Sequence, residues 1–280
     1  MFGSWSGRPP FKTLTTDYRR ITEPSVEPIS IIEAKMQARR SPDEFAEDSM
    51  WGIYVNAARN QVEVDACRAV CWQRWQLLLD RWPDIFELYR CPVIAVESVK
   101  YLDLGADPGT WQTVDPSVYT VSYSEPCRIT QAYAHYWQPN RFQMGSISVT
   151  FTAGYLIPFT VDINADTLTF TDYVPTNGAS FRVSNSGGAL PTPLVAGQTY
   201  YVVGTSGNTC QLSTTSNGSA INFTYAGSGQ NFLGTLPGGL RMAMLKHIAT
   251  NFADREGSSI AADCERSYLQ SLRAVQYAVL

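Results

Sequence analysis

The chain has 280 residues, 44% of them hydrophobic and 16% charged, with a formal net charge of −4. It is long enough to bury a full core as one large domain or two modest ones. The mild acidity argues against a dedicated nucleic-acid binder, which carries a basic excess. No apolar run reaches the ~18 residues that would span a bilayer, and the start "MFGSWSGRPPFKTLTTDYRR" lacks the apolar segment of a secretory signal.

The first 24 residues are polar, rich in Gly, Pro and Ser, and without a period, which predicts an extended arm. In "SIIEAKMQARR" Ser30 stands three residues before Glu33, a capping box that opens a short helix. A second box follows in "SPDEF": Ser41 caps, Pro42 suits the first helical position and Glu44 closes the box. Trp51, Tyr54, Val55, Ala58 and Val62 then recur at helical spacing, so a helix is predicted over 42–66.

The period then shortens to two. Trp75, Leu77 and Leu79 alternate with Arg74, Gln76 and Leu78, and strand-like runs follow at 86–89, 96–103, 118–123 and 146–155. Turn signals such as "GADPGT" and "SYSEPC" separate them, so 70–155 reads as a small antiparallel sheet. From 160 to 235 Lys is absent and Gly, Ser, Thr and Asn dominate. "DTLTFTDY", "ASFRVSNSG", "GQTYYVVGTSGNTCQLSTT" and "AINFTYAG" predict short strands of a sandwich or barrel. Helical spacing returns at Leu240, Ala243, Met244, His247, Ile248 and Phe252, with Gly257 as the cap. A last segment, "ADCERSYLQSLRAVQYAVL", can form another helix whose apolar tail needs a docking surface.

The simplest organisation is an insertion. Residues 159–235 form an all-β domain placed in a surface loop, where added length costs little entropy. The host is then discontinuous, 25–158 with 236–264. Strand 146–155 and helix 240–252 are expected to share its core, and 265–280 forms a terminal segment. The fold class expected is α+β: a helical connector core with a small antiparallel sheet, plus the sandwich- or barrel-like insert.

Without the insert, the order "EPISIIEAKMQARR", "CRAVCWQRWQLLLDRWPD", "CPVIAVESVKYLD", "DPSVYTV", "PCRI", "VTFTAGY" and "LRMAMLKHIATNFADREG" resembles the head–tail connector, or adaptor, family of tailed phages and gene transfer agents. The resemblance covers most of 24–158 and 236–275. Cys67 departs from it, standing where the family often has Gly, as does Arg90-Cys91-Pro92 in place of a double proline. Residues 175–230 resemble small β-modules of phage tail and baseplate proteins.

The resemblance implies a structural role, not an enzyme: a virion protein of the neck, at the head–tail interface, assembled in the host cytoplasm. Its copies would form a ring of twelve under the portal protein. A tail-side neck or tail terminator protein would bind below, and DNA would pass through the channel during genome ejection without sequence-specific binding. No membrane partner and no cofactor are implied. The segment 265–280 would dock into the portal through Tyr268, Leu269, Leu272, Val275, Tyr277, Val279 and Leu280. Lys35, Arg39 and Arg40 would pair with acidic groups of a neighbouring subunit or the portal. The alternative is a virion carbohydrate- or receptor-binding protein acting through the β-insert. A hydrolase comes third.

Little else in the sequence points to chemistry. Six scattered cysteines, Cys67, Cys71, Cys91, Cys127, Cys210 and Cys264, form no CxxC pair and read as free thiols. Cys67 and Cys71 at i, i+4 are half a metal site at most, with no His nearby. Ser186-Gly187-Gly188 lacks the Lys and following helix of a phosphate loop and reads as a hairpin turn. Asp162, Asp166 and Asp172 lack the Gly and Glu of a calcium loop. His135 lies in the aromatic run "YAHYWQPNRF" with no nucleophile motif, and His247 falls on an apolar helix face. Seven Trp and fifteen Tyr are many, and aromatic side chains concentrate at protein interfaces.

Overall fold

The computed structural model describes residues 16–105, 108–171, 173–253, 268 and 270–271. The chain divides into two compact units. The first takes the described residues up to Glu23 together with Gln73–Ala153; the second takes Pro24–Trp72 and the described residues from Gly154 onward.

In the first unit, alternation drives the sheet. Strand β1 (Thr16–Thr22) pairs with β2 (Gln73–Leu79), which pairs with β8 (Ile147–Ala153). Beyond β8 lie β4 (Val93–Leu102) and β5 (Trp111–Thr113), giving a five-stranded antiparallel sheet. A second sheet joins β3 (Ile85–Leu88), β7 (Cys127–Gln131) and β6 (Tyr119–Ser122). All seven residues of β8 are buried. One of its faces is apolar, Ile147, Val149, Phe151 and Ala153; the other carries hydroxyls, which find partners. Ser148 Oγ accepts from Gln76 Nε2 at 2.8 Å and Thr152 Oγ1 donates to Ala95 O at 3.4 Å. A buried hydroxyl without such a bond would cost ~1–3 kcal/mol. The expected arm is partly corrected: residues 16–22 are an edge strand, with the Tyr18 hydroxyl donating to Glu87 O at 2.9 Å.

In the second unit, α1 (Ile31–Gln37), α2 (Asp48–Ala66) and α3 (Gly238–Ala253) close over one apolar cluster. It contains Trp51, Val55, Ala58 and Val62 of α2 and Leu240, Ala243, Met244 and Ile248 of α3. Trp51 stacks on Phe252 at 4.4 Å. The helix expected from 42 begins only at Asp48. The reason is Lys35, 1% exposed, whose ammonium takes the carbonyls of Pro42 at 3.3 Å and Glu44 at 2.6 Å. Those oxygens are what a helix from 42 would need as its own acceptors. At the other end, Cys67 adopts the left-handed conformation, φ 52°, and the Arg68 amide donates to Glu63 O at 3.1 Å. The same helix carries an ion triad in which Arg59 and Glu63 are buried and Glu27 is partly exposed. Arg59 bonds Glu27 at 2.8 Å and Glu63 at 3.1 Å, and the second oxygen of Glu63 accepts the Val70 amide at 2.9 Å.

Six strands of this unit form a closed barrel: β9 (Ile157–Asp162), β10 (Thr167–Thr169), β11 (Ser180–Ser186), β12 (Thr199–Ser206), β13 (Thr209–Ser213) and β14 (Gln230–Leu233). Their order around it is β10-β13-β12-β11-β14-β9. Closure leaves no strand edge to template aggregation. Leu168, Val183, Val202, Cys210, Leu212 and Phe232 are buried. The run "AINFTYAG" makes an isolated bridge, Thr192 to Tyr225, and not a strand. Gly154, at φ +146°, leads from β8 into this unit, and a Cβ there would meet Cys71 O at 2.4 Å.

The fold is therefore α+β with strands dominant, and the expected helical connector core is corrected. Three helices among the described residues supply one cluster, while the other buried groups lie mainly in sheets. The expected strand 146–155 is divided between the units: β8 belongs to the first, while Tyr155 packs against the cluster of α3 in the second.

Candidate functional site

The most exposed apolar side chains of the first unit sit on one loop, between β7 and β8. Tyr133 is 99% exposed, Tyr136 79%, Phe142 87% and Met144 84%. The loop holds a fixed course. Trp137 stacks on Trp82 at 4.5 Å with rings 3° apart, and Trp82 Nε1 donates to Gln138 O at 2.7 Å. Arg141 donates from its amide to Leu102 O at 2.9 Å and from its guanidinium to Gly105 O at 2.7 Å. Asn140 Nδ2 donates to Ser146 Oγ at 2.7 Å, and the Gly145 amide to the Asp80 carboxylate at 2.8 Å. A loop held at both ends presents its side chains already ordered, which lowers the entropy cost of binding.

The same unit carries an apolar groove of about 480 Å³, lined by Leu77, Leu79, Pro83, Ile85, Phe86 and Tyr89, with Glu87 and Arg128 at its polar rim. Ile85 is 53% exposed and Tyr89 51%. Sequence reasoning flagged the aromatic run around His135, which ends at Phe142, but not Met144 or this groove. The signal available was the density of large apolar residues in "YAHYWQPNRFQMG" without alternation.

The residues singled out from sequence divide sharply. Lys35 points inward: besides the two carbonyls, it pairs with Asp48 at 2.5 Å. Arg39 and Arg40 are exposed, and the Arg40 guanidinium lies over the Phe252 ring at 5.2 Å. Tyr268 is 8% exposed within the helical cluster, its hydroxyl donating to Asp65. Burial and the Asp65 carboxylate both push that phenol far above its ordinary pKa. Leu269, Leu272, Val275, Tyr277, Val279 and Leu280 lie outside the described residues, as do Asp172, Cys264 and the Gly257 cap.

The chemical candidates do not converge. Cys67 is exposed, while the Cys71 thiol is buried and pushed well up by desolvation. Among the described residues no group of three or more His, Cys, Asp or Glu could hold a metal ion. Asp162 accepts the Asn164 amide at 2.8 Å within its own turn, and Asp166 accepts the Phe223 amide at 2.7 Å, so both carboxylates bond the protein's own backbone. The His247 imidazole is lowered by burial and lies 5.7 Å from the Tyr268 ring. His135 is exposed. The nearby Asp115 carboxyl is held below its usual range, mainly by the Ser117 amide.

"SNSGG" is a turn packed against the Ser30 side chain and the Ser228 backbone. A Cβ on Gly187, at φ +74°, would meet Ser30 Oγ at 2.6 Å. The Ser30–Glu33 capping box is half formed: Ser30 Oγ accepts the Glu33 amide at 3.2 Å. In place of Glu33, Ser186 of the barrel completes it, its hydroxyl accepting the Ser30 amide at 2.9 Å and donating to Glu33 at 2.7 Å. Glu33 also pairs with Arg241 of α3.

No family model and no curated protein matches the chain. Among solved structures, it is similar to a chain in the neck of an empty gene transfer agent particle computed with C6 symmetry. That chain is 21% identical, the match covers 50% of this chain and 71% of that one, and the TM-score is 0.40. A chain in the virion of a native gene transfer agent particle is 22% identical over 49% of this chain and 71% of that one, also at 0.40. A third, in the neck of the native particle computed with C12 symmetry, is 20% identical over 46% and 69%, at 0.34. These three chains thus come from neck and virion assemblies of gene transfer agent particles.

Proposed function

We propose that the protein is a structural adaptor of a virion neck, forming a ring of twelve copies, the portal's symmetry, that links the capsid vertex to the tail and leaves a channel for DNA. The observation that carries the reading is the rigid loop with Tyr133, Tyr136, Phe142 and Met144 turned outward. Together they present roughly 600–900 Å² of mostly apolar surface. The largest apolar patch of a lone monomer is ~300–600 Å². The ordered set of sequence motifs supports the neck in particular, and it makes a non-enzymatic role the expected one.

In this proposal residues 265–280 dock into the portal. Tyr268 anchors that segment to the body through Asp65, and the residues beyond it make the docking contact. Arg39 and Arg40 remain candidates for contacts with a neighbouring subunit or the portal, whereas Lys35 serves the subunit itself. The barrel lies on the outside of the ring, since a bulky element in the bore would obstruct DNA. The ring joins a tail-side neck protein below, in the virion, after assembly in the host cytoplasm.

Light scattering of the chain alone, then mixed with its cognate portal protein, tests this. Joining the portal in about twelve copies, with loss of binding on removing 265–280, is the expected result. A protein that ignores the portal in every form would overturn the proposal.

A further inference from the structure

The groove and Met144 of the first unit lie on opposite sides of one sheet. Side chains alternate along a strand, so Leu77 and Leu79 of β2 point one way while Gln76 and Leu78 point the other. The groove is built on Leu77 and Leu79. Met144 lies on the other side, beside Leu78 and Trp111. We propose that Phe142 and Met144 of one copy seat in the groove of a second copy, against Pro83, Ile85 and Tyr89, and that this contact repeats head to tail. The inference rests on the ring reading above and names its contact.

The occupant follows from geometry and area. A two-fold dimer needs one self-complementary patch, whereas two different patches facing opposite ways generate a heterologous series that closes into a ring. Each copy carries both patches. A foreign partner on one of them would leave the other exposed in every copy. A ring covers both with the same contact. Phe142 and Met144 together present roughly 300–450 Å², about half of the ~800 Å² per partner of a standard interface, so they anchor the contact and do not make up all of it. The groove has an apolar floor, and its rim holds Glu87 and Arg128, paired at 3.5 Å with side chains 37% and 56% exposed. Apolar centre and polar rim is the usual anatomy of an interface.

The test uses the full chain with a benzophenone amino acid at position 142, illuminated alone and with the portal protein, and the cross-linked peptides mapped. Cross-links from 142 to residues 79–89 of a second copy are expected. In parallel, Phe142→Ser with Met144→Ser should weaken self-association at least about tenfold, the loss typical of removing interface anchors. Val195→Ser, at an exposed apolar position between β11 and β12, should leave it unchanged. Circular dichroism confirms that the loop variant folds. Oligomers whose cross-links fall elsewhere, with self-association unmoved by the double change, would overturn this contact and leave the ring reading standing. A chain monomeric at every concentration and with the portal would overturn both.

Discussion

Ser186→Ala tests how the barrel and the helices of the second unit are coupled. The Ser186 side chain is 1% exposed and makes two hydrogen bonds, from the Ser30 amide and to the Glu33 carboxylate. A neutral bond contributes ~0.5–1.5 kcal/mol and one to a charged group ~1.5–3 kcal/mol. The sum is an upper figure, because a freed Glu33 can turn back to the Ser30 amide and complete the ordinary capping box. The expected loss is about 2 kcal/mol, a drop of roughly 4–8 °C in Tm for a unit of this size. Urea unfolding of Ser186→Ala, Glu33→Ala and the double variant supplies the cycle. The single costs should exceed additivity by about 1 kcal/mol, since the two residues share a bond. A Ser186→Ala protein within 0.5 kcal/mol of the parent, or costs that add, would refute the idea that a barrel hydroxyl caps the helix.

Gly154→Ala should cost more than about 3 kcal/mol, because its Cβ would enter the Cys71 carbonyl at 2.4 Å and nothing there is a flexible side chain; soluble yield and Cm check this, and a near-neutral variant refutes it. Cys67→Gly should stabilise by about 0.5 kcal/mol, relief of the left-handed conformation at φ 52° less the added chain entropy; a lower Cm would show that the Cys67 side chain matters. Burial raises Cys127, Cys210 and Tyr18 each to about 12. The folded state then holds these protons more tightly than the unfolded chain, so their contribution is complete below pH ~8.5 and lost as pH rises toward 12. Tm should fall through that window, less steeply in Cys210→Ala, and a flat profile would contradict the burial.

Elements with a strong period were legible in sequence; those decided by a distant partner were not. β2 and β8 announce themselves by alternation, and α3 by its apolar spacing. The start of α2 was misplaced because local chemistry favours a helix from Pro42, while a lysine seven residues earlier takes up the carbonyl of Pro42. β1 is polar along "TDYRRIT", and only pairing with β2, fifty residues on, makes it a strand. β14 is four residues long and begins with Gln and Asn, too short for a period to show. The loop between β7 and β8 was visible as an excess of aromatics. That Phe142 and Met144 face outward depends on anchors to Asp80 and Leu102, which no local pattern reveals.

The closing of α2 by α3 has a consequence for how the chain is made. The apolar stripe of Trp51, Val55, Ala58 and Val62 leaves the ribosome roughly 170 residues before Gly238 begins the helix that covers it. At about 5–20 residues per second, that stripe waits on the order of ten to thirty seconds for its partner. During synthesis the nascent protein is therefore most vulnerable to chaperone capture or aggregation between the completion of α2 and the emergence of α3, with the six-stranded barrel folding in the interval.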